Sequence, residues 1–496
     1  MKYLKNVICA VVITTLLGFA SVSHADQDLI SVFPLDNYHQ SIAAWINPDD
    51  TEYDKPLLNA EMQNARFEIF MDHYVGASSP WNADYINKLL QPSSEDLKAL
   101  EQEILNTFNN AGKAADQIGY GENFHPYPPE WIEEIANNIP QLAGLTYQSN
   151  NRGIVIENLH ARALPTDDVY FYHYKIAGEG YPFDNLQMSA VWVGTPVYIV
   201  AESRDQAWML VVTPEFIGWV KSSGIARADE AFINTWTKAA KIKLAAITHT
   251  QTSVTDREGK FLFSAYVGTV FPVTAASADQ DAKDVSVPIA DENHHAKIKS
   301  VVVRAGNAVA MPLAATPRNF SMVMETLIGR PYGWGGMYFY NDCSAELKNL
   351  LAPFGIWLPR NSSRQAAEGN MVDLSAESVE KRISYLMANG HRFLTLIHIN
   401  GHVMLYVGNF PNPNQGPGLM AMTYQNTWGL QPNPSTRRAV IGKAVLFPLL
   451  AQYPEDTSLV SQAGKKNFEI SNLDELPNAN LLMQQRAVSL RALMFP

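Results

Sequence analysis

The chain carries two cysteines, Cys9 and Cys343, and the second has the surroundings of a nucleophile. Cys343 lies in "YGWGGMYFYNDCSAELKNLLAPFG", Tyr332 to Gly355, directly after a glycine-rich aromatic loop. Downstream, Leu347, Leu350, Leu351 and Phe354 recur at helical spacing, and Gly355 follows as a C-cap residue. The spacing predicts a helix with Cys343 in its first turn. Unpaired backbone N–H groups and the positive end of the helix dipole would there favour the thiolate, the reactive form of cysteine. A cysteine packed as a small hydrophobe suits neither Asp342 nor Ser344 beside it. Gly333, Gly335 and Gly336 would let the backbone come close to a bound ligand.

A nucleophilic thiol needs a base, and His402 in "HINGHVMLYVG" is the candidate. From His402 the residues alternate as in a strand, with His402, Met404 and Tyr406 on one face and Val403, Leu405 and Val407 on the other. His398 lies four residues earlier, a spacing that holds zinc when both histidines are on a helix. Gly401 and the strand pattern point away from a helix, and no acidic third ligand is nearby in the sequence, so no metal is expected. The imidazole also needs a polar group to hold it in one tautomer. The strand-like run "GLMAMTYQNTWG" offers Gln425 and Asn426, whose side chains would face opposite ways. Gln425 is the favoured partner of His402. The three residues Cys343, His402 and Gln425 would then carry out acyl transfer with no cofactor.

The elements that must position these residues begin with an export signal. Lys2 and Lys5 precede an apolar run from Val7 to Ala20, and Ser23-His24-Ala25 forms a cleavage pattern, so residues 1–25 read as a signal peptide. Cys9 leaves with it, and Cys343 is left without a disulfide partner in an exported protein, periplasmic or secreted. The apolar run is shorter than the ~20 residues a helix needs to cross a bilayer, and no later stretch approaches that length, so no membrane span is expected after its removal. The formal charge is −12, and losing Lys2 and Lys5 makes it −14. With no Lys/Arg block, the chain is not expected to bind nucleic acid.

At 496 residues the chain is too long for one core. Residues 26–150 read as mostly helical. The clearest helix opens at "SSED", where Ser93 and Asp96 fit a capping box, and places Leu97, Leu100, Ile104 and Phe108 on one face. Residues 151–229 change to short β-branched and aromatic runs cut by glycine and proline, as in "MSAVWVGTPVYIVAES", which predicts a small β-barrel. Residues 230–315 predict a second barrel, with the loop Ser277 to Asp284 between strands. Residues 316–496 mix helix and strand around Cys343, and the polar tail after Ala451 is expected to wrap this last domain.

The run "PYGWGGMYFYNDCSAE", followed by "LPRNSSRQ" (Leu358 to Gln365) and "GHVMLYVG", resembles the NlpC-type family of cell-wall cysteine peptidases. The resemblance covers about residues 317–448 and implies a papain-like α+β fold. Upstream, "RALPT", "PFDNLQMSAVWVGTPVYIV" and "GWV" are similar to the bacterial SH3-like barrels that precede this domain, with a helical N-terminal region, in one subgroup. Most of the chain is thus expected to follow that multidomain plan. The resemblance implies Cys343 as nucleophile and His402 as base. The family's third member is commonly histidine, and Gln425 departs from it. Tyr332 is implied to line the oxyanion hole and Trp334 to wall the pocket. Asp342 and Ser344 are implied to hold the free N-terminal amine of a stem peptide, and Ser362 matches a further pocket residue. The first barrel is also implied to narrow the pocket, through residues the sequence does not identify. The implied activity is hydrolysis of the γ-D-glutamyl–diamino acid bond in peptidoglycan stem peptides or muropeptide fragments. The competing expectations are amidase or transpeptidase chemistry on the same scaffold, and a wall-binding protein with little turnover.

Overall fold

The structure is a computed structural model and describes residues 30–91, 96–114, 116–275, 282–412, 418–435, 437–477 and 489–495. The signal segment 1–25 with Cys9, the Ser93 half of the capping box, and residues 277–281 of the loop between strands lie outside the described residues. Among the described residues no helix is long and apolar enough to cross a membrane.

The helical region contains α1 (Ala60–Val75), α2 (Ala83–Leu90), α3 (Leu97–Phe108) and α4 (Pro129–Asn138). Asn59, Asn82 and Asp96 cap the first three by accepting a backbone N–H from the opening turn. Leu97, Leu100, Ile104 and Phe108 are buried along one face of α3, as their spacing predicts. That face joins residues of α2, α4 and the first barrel in one core around Trp219.

Before α1 the chain belongs elsewhere. The strand β1 (Ile30–Val32) pairs in parallel with residues Arg438 to Val440, and Phe33, Tyr38 and Ile42 are buried in the core beneath Cys343. Phe33 and Tyr38 meet Phe447 edge-on at 5.4 and 5.6 Å. This short aromatic segment has no helical period and finds its burial against a sheet edge.

The first barrel is built from β2 (Arg152–Val155), β3 (Leu159–Arg162), β4 (Gln187–Val191), β5 (Pro196–Glu202), β6 (Trp208–Val212), β7 (Ile217–Lys221) and β8 (Ile225–Arg227). They form an antiparallel sheet in the order β4-β3-β7-β6-β5-β2-β8, closed on Val155, Ala161, Val197, Val211 and Val220. Helix α5 (Glu230–Ile242), capped by Asp229, leads into the second barrel. That barrel holds β9 (Leu244–Ile247), β10 (Thr252–Thr255), β11 (Phe261–Ala265), β12 (Val270–Ala275), β13 (Ala282–Ala290), β14 (Ala296–Arg304) and β15 (Ala308–Ala310). Five of them follow the order β14-β13-β12-β9-β15, and β10 and β11 form a separate hairpin.

The last domain contains α6 (Pro317–Leu327), α7 (Cys343–Leu351), α8 (Ser362–Gln365), β16 (Asn370–Asp373), α9 (Val379–Asn389), β17 (Thr395–Ile399), β18 (His402–Pro411), β19 (Leu419–Leu430), β20 (Arg438–Leu449) and β21 (Phe468–Asn472). Its seven-stranded sheet runs β1-β20-β19-β18-β17-β21-β16. Helix α7 packs across β18 and β19 through Leu347, Leu350 and Leu351. The tail after Ala451 only partly wraps this domain. It inserts β21 between β17 and β16, but its last helix, α10 (Leu490–Met494), buries Leu490, Leu493 and Met494 against α3 and the first barrel. Those three apolar residues direct the end of the tail there, whereas Leu459, Phe468, Ile470 and Leu473 hold its earlier part on the last domain.

Candidate active site

Cys343 opens α7, and Asp342 is the N-cap residue, accepting the Ala345 N–H at 3.0 Å. The backbone N–H groups of Ser344 and of Val403, on β18, are directed at the sulfur. The helix start therefore meets the strand that begins with His402. Burial nevertheless outweighs these donors. It pushes the Cys343 thiol up to about 12, with the charge of Asp342 adding to the effect. Burial likewise pulls the His402 imidazole down to about 4. Burial thus favours the uncharged thiol and the uncharged imidazole, against the thiolate that the helix dipole alone would favour.

The ring of His402 is held from behind. Its Nε2 lies 2.7 Å from Gln425 Oε1 on β19, and a chain of buried bonds decides which atom carries the proton. The Phe447 carbonyl can only accept, so it takes the Thr423 hydroxyl proton at 2.7 Å. The Thr423 oxygen then accepts from Gln425 Nε2 at 2.9 Å, which turns Gln425 Oε1 toward His402. Gln462 pairs reciprocally with the same amide, at 2.8 and 3.1 Å. His402 Nε2 must therefore donate, and Nδ1 keeps its lone pair for a proton. Asn426 faces the other way, donating to the Asn341 carbonyl at 2.9 Å and toward the buried Glu346 of α7. His398 is not free for a metal, because its Nδ1 lies 2.8 Å from Glu469 across the sheet. Among the described residues no cluster of three or more His, Cys, Asp or Glu is arranged to hold a metal.

The pocket above Cys343 has a volume of about 380 Å³. Tyr332, Trp334, Asp342, Ser344 and Ser362 all line it with Cys343. Burial, with the charge of Asp342 nearby, holds the Tyr332 hydroxyl well above its ordinary value, so it stays a donor. Trp334 stands edge-on to Phe183 of the first barrel, 5.2 Å between ring centres, and Phe183 reaches Trp428 of β19 at 5.0 Å. The Asp342 carboxylate, a lone anion in the sequence, is paired in the structure with Arg360. Arg360 also donates to Ser344 Oγ at 2.6 Å, to Ser189 Oγ at 2.9 Å and to the Met188 carbonyl at 3.1 Å. This buried arginine ties the residues flanking Cys343 to β4 of the first barrel.

The same strand meets the loop before Cys343. Gly335 and Gly336 have φ of +58° and +79°, and a Cβ there would come within 2.3 Å of the Gln187 carbonyl oxygen and 2.5 Å of the Ala190 nitrogen. These glycines admit the barrel backbone, and Gly335 also borders the pocket. Phe339, farther along the loop, stacks on His160 of the first barrel at 4.4 Å and meets Tyr266 of the second at 5.8 Å. Both barrels thus grip the loop that delivers Cys343.

Several residues of the site carry no signal of their own in the sequence. Arg360 sits inside "LPRNSSRQ" but only its burial shows what it binds. Thr423 and Gln462 act through cross-strand and tail contacts. Ala163, Asn185, Gln187 and Met188 are the residues of the first barrel that border the pocket, and Ile104, Thr107, Phe108, Met494 and Phe495 close another side.

Three stretches match known families: residues 170–221 an SH3 domain of SH3b1 type, residues 229–278 an SH3 domain of SH3b2 type, and residues 329–416 the NlpC/P60 family. Gln425 lies beyond the last match. No curated protein matches the chain. Among solved structures, an NlpC/P60 endopeptidase from Photobacterium damselae subsp. piscicida is 27% identical with a TM-score of 0.76, over 90% of this chain and 99% of its own. An NlpC/P60 family protein from Bacillus cereus is 13% identical with a TM-score of 0.40, over 62% of this chain and 98% of its own.

Proposed function

We propose that the chain, in which a stretch matching the NlpC/P60 family follows two matching SH3 domains, is an exported cysteine endopeptidase cutting the γ-D-glutamyl–diamino acid bond of peptidoglycan stem peptides. One observation carries the reading: a thiol at a helix start that lines a pocket and faces the backbone N–H of Val403, the residue next to His402, whose free lone pair is fixed by Gln425. His402 Nδ1 takes the Cys343 proton as the sulfur attacks the γ-carbonyl carbon. The carbonyl π electrons move to oxygen, where backbone N–H groups at the start of α7 and the Tyr332 hydroxyl stabilise the charge. The imidazolium then protonates the leaving amine, and water, deprotonated by the same nitrogen, hydrolyses the thioester.

The preferred substrate carries a free N-terminal L-Ala. Asp342 is the one carboxylate among the described pocket residues, and an ammonium entering the pocket shares it with Arg360 while the Ser344 and Ser362 hydroxyls complete its shell. Mass spectrometry of L-Ala-γ-D-Glu-diaminopimelate incubated with wild type and with Cys343→Ala tests the bond and the nucleophile together. Release of diaminopimelate by wild type alone is expected. Release by neither, with retention on intact sacculi, would favour a wall-binding protein. Equal turnover of the N-acetylated tripeptide would remove the amine requirement.

A further inference from the structure

A second cavity, of about 840 Å³, lies between α1, α2 and the last domain and shares no lining residue with the Cys343 pocket. Trp357 of the last domain and His73 of α1 form part of its wall, stacked 3.7 Å apart and nearly parallel. Ala65 and Ile69 of α1 and Leu89 of α2 give it an apolar lining, and the exposed Glu68, Asp84 and Lys88 charge its rim.

Two charged side chains of the last domain line this cavity without being bonded to each other or to anything else. Glu368 is 9% exposed, and among the described residues its carboxyl has no hydrogen bond or ion pair. Burial raises that carboxyl to about 7, against the charges of Arg66 and Arg364. Arg364, on α8, is half-buried, and among the described residues its guanidinium also has no hydrogen bond or ion pair. Its charge is nevertheless felt by Glu368, His73 and Tyr85, all of which line the cavity. A carboxylate held this deep without a donor costs free energy, and an unused cation beside it makes the absence of pairing more telling.

We propose that this cavity is a second ligand site, for a small zwitterion of the amino-acid class whose carboxylate pairs with Arg364 and whose ammonium pairs with Glu368. The site does not depend on the peptidase reading. An α-amino acid headgroup carries an anion and a cation on one carbon, the reverse of what Arg364 and Glu368 offer. A simple carboxylate would leave Glu368 unpaired, and a simple amine would leave Arg364 unpaired. A compound with a second headgroup on a short alkyl chain would lay the chain on Ala65, Ile69 and Leu89 and meet Lys88, Glu68 and Asp84 at the rim. Diaminopimelate has this form, and the volume suits a small ligand.

Calorimetric titration of the full chain tests the site with diaminopimelate, with pimelate, which lacks the amines, and with cadaverine, which lacks the carboxylates. Diaminopimelate is expected to bind, and the other two at least about tenfold more weakly. Arg364→Gln and Glu368→Gln should each weaken diaminopimelate by about tenfold. Both variants should melt like wild type, since neither side chain is bonded within the fold. Absence of diaminopimelate binding would overturn the site, and so would equal binding of pimelate or cadaverine. Binding untouched by both substitutions would place the ligand in the Cys343 pocket and overturn it too. The titration needs no turnover, so its outcome is separate from that of the peptidase reading.

Discussion

The Gln425 amide decides which face of the His402 ring is available for a proton, and its influence is measurable apart from the thiol. Gln425→Leu leaves the ring unanchored, and kcat should fall about 10²-fold with KM little changed, by steady-state kinetics on the tripeptide. Thr423→Val removes the hydroxyl that orients the amide and should cost about tenfold, with Thr423→Ser restoring activity; a merely structural role would not separate the two. Because burial holds the imidazole near 4, the acid limb of kcat/KM should lie below pH 5, where an ordinary histidine would place it near 6.5. The thiol, held up to about 12, should add no ionisation between pH 6 and 9. A limb centred near 6.5 would contradict the buried neutral pair. Cys343, His402 and Gln425 were legible in the sequence because helical spacing and strand alternation are local patterns. Thr423, Phe447 and Gln462 were not, because strand register joins the first two across 24 residues and a contact from the tail joins Gln462 to Gln425 across 37. The thiolate that the sequence suggested rests on the helix dipole, which is local, whereas the burial that opposes it comes from packing of α7 against β18 and β19, strands placed later in the chain.

At the scale of elements, the loop from Trp334 to Phe339 is where three domains agree on the position of Cys343. Its backbone turns left-handed at Gly335 and Gly336, with β4 pressed against both. Gly336→Ala should lower stability by about 3 kcal/mol and cut tripeptide turnover, read by thermal melting and kinetics, because the added carbon meets backbone and not a movable side chain. Gly306→Ala, where nothing lies within 4 Å of the new carbon, is the neutral control. The sequence showed that glycine was needed in this loop and suggested a ligand as the reason. A strand of the first barrel, some 145 residues earlier in the chain, is the neighbour that the glycines admit. The barrels themselves were readable from their short apolar runs, whereas β1 and β21 were hidden, being brief segments whose strand character depends on sheets formed elsewhere.

For the molecule as a whole, the helical region is joined to the first barrel through a buried acid. Glu101 of α3 accepts the Trp219 indole N–H at 3.0 Å, and burial raises its carboxyl from 4.5 to about 7. The folded state holds this proton more tightly than the unfolded chain, so the stabilisation is complete below pH 4.5 and is lost as pH rises through about 7. Glu101→Gln keeps the bond to Trp219 and removes the charge. It should raise stability by about 3 kcal/mol at pH 8 and change little at pH 4.5, by denaturant titration at the two pH values. Equal effects at both pH values would mean that packing, not ionisation, governs the site.

The pairing of β1 with β20 sets a schedule for the chain's synthesis. Ile30 to Val32 emerge from the ribosome more than 400 residues before Arg438 to Val440, and until those partners exist the edge they complete cannot form. Phe33 and Tyr38 wait equally long for Phe447, and the flank of the pocket waits longer still, for Leu490 to Met494. Both barrels can fold while the chain is growing, but the sheet that carries His402 is sealed only when the two ends of the chain have been brought together. A partly synthesised or truncated chain therefore holds Cys343 and no finished pocket, and topology alone delays completion of the site until the segments at both ends of the described chain are in place.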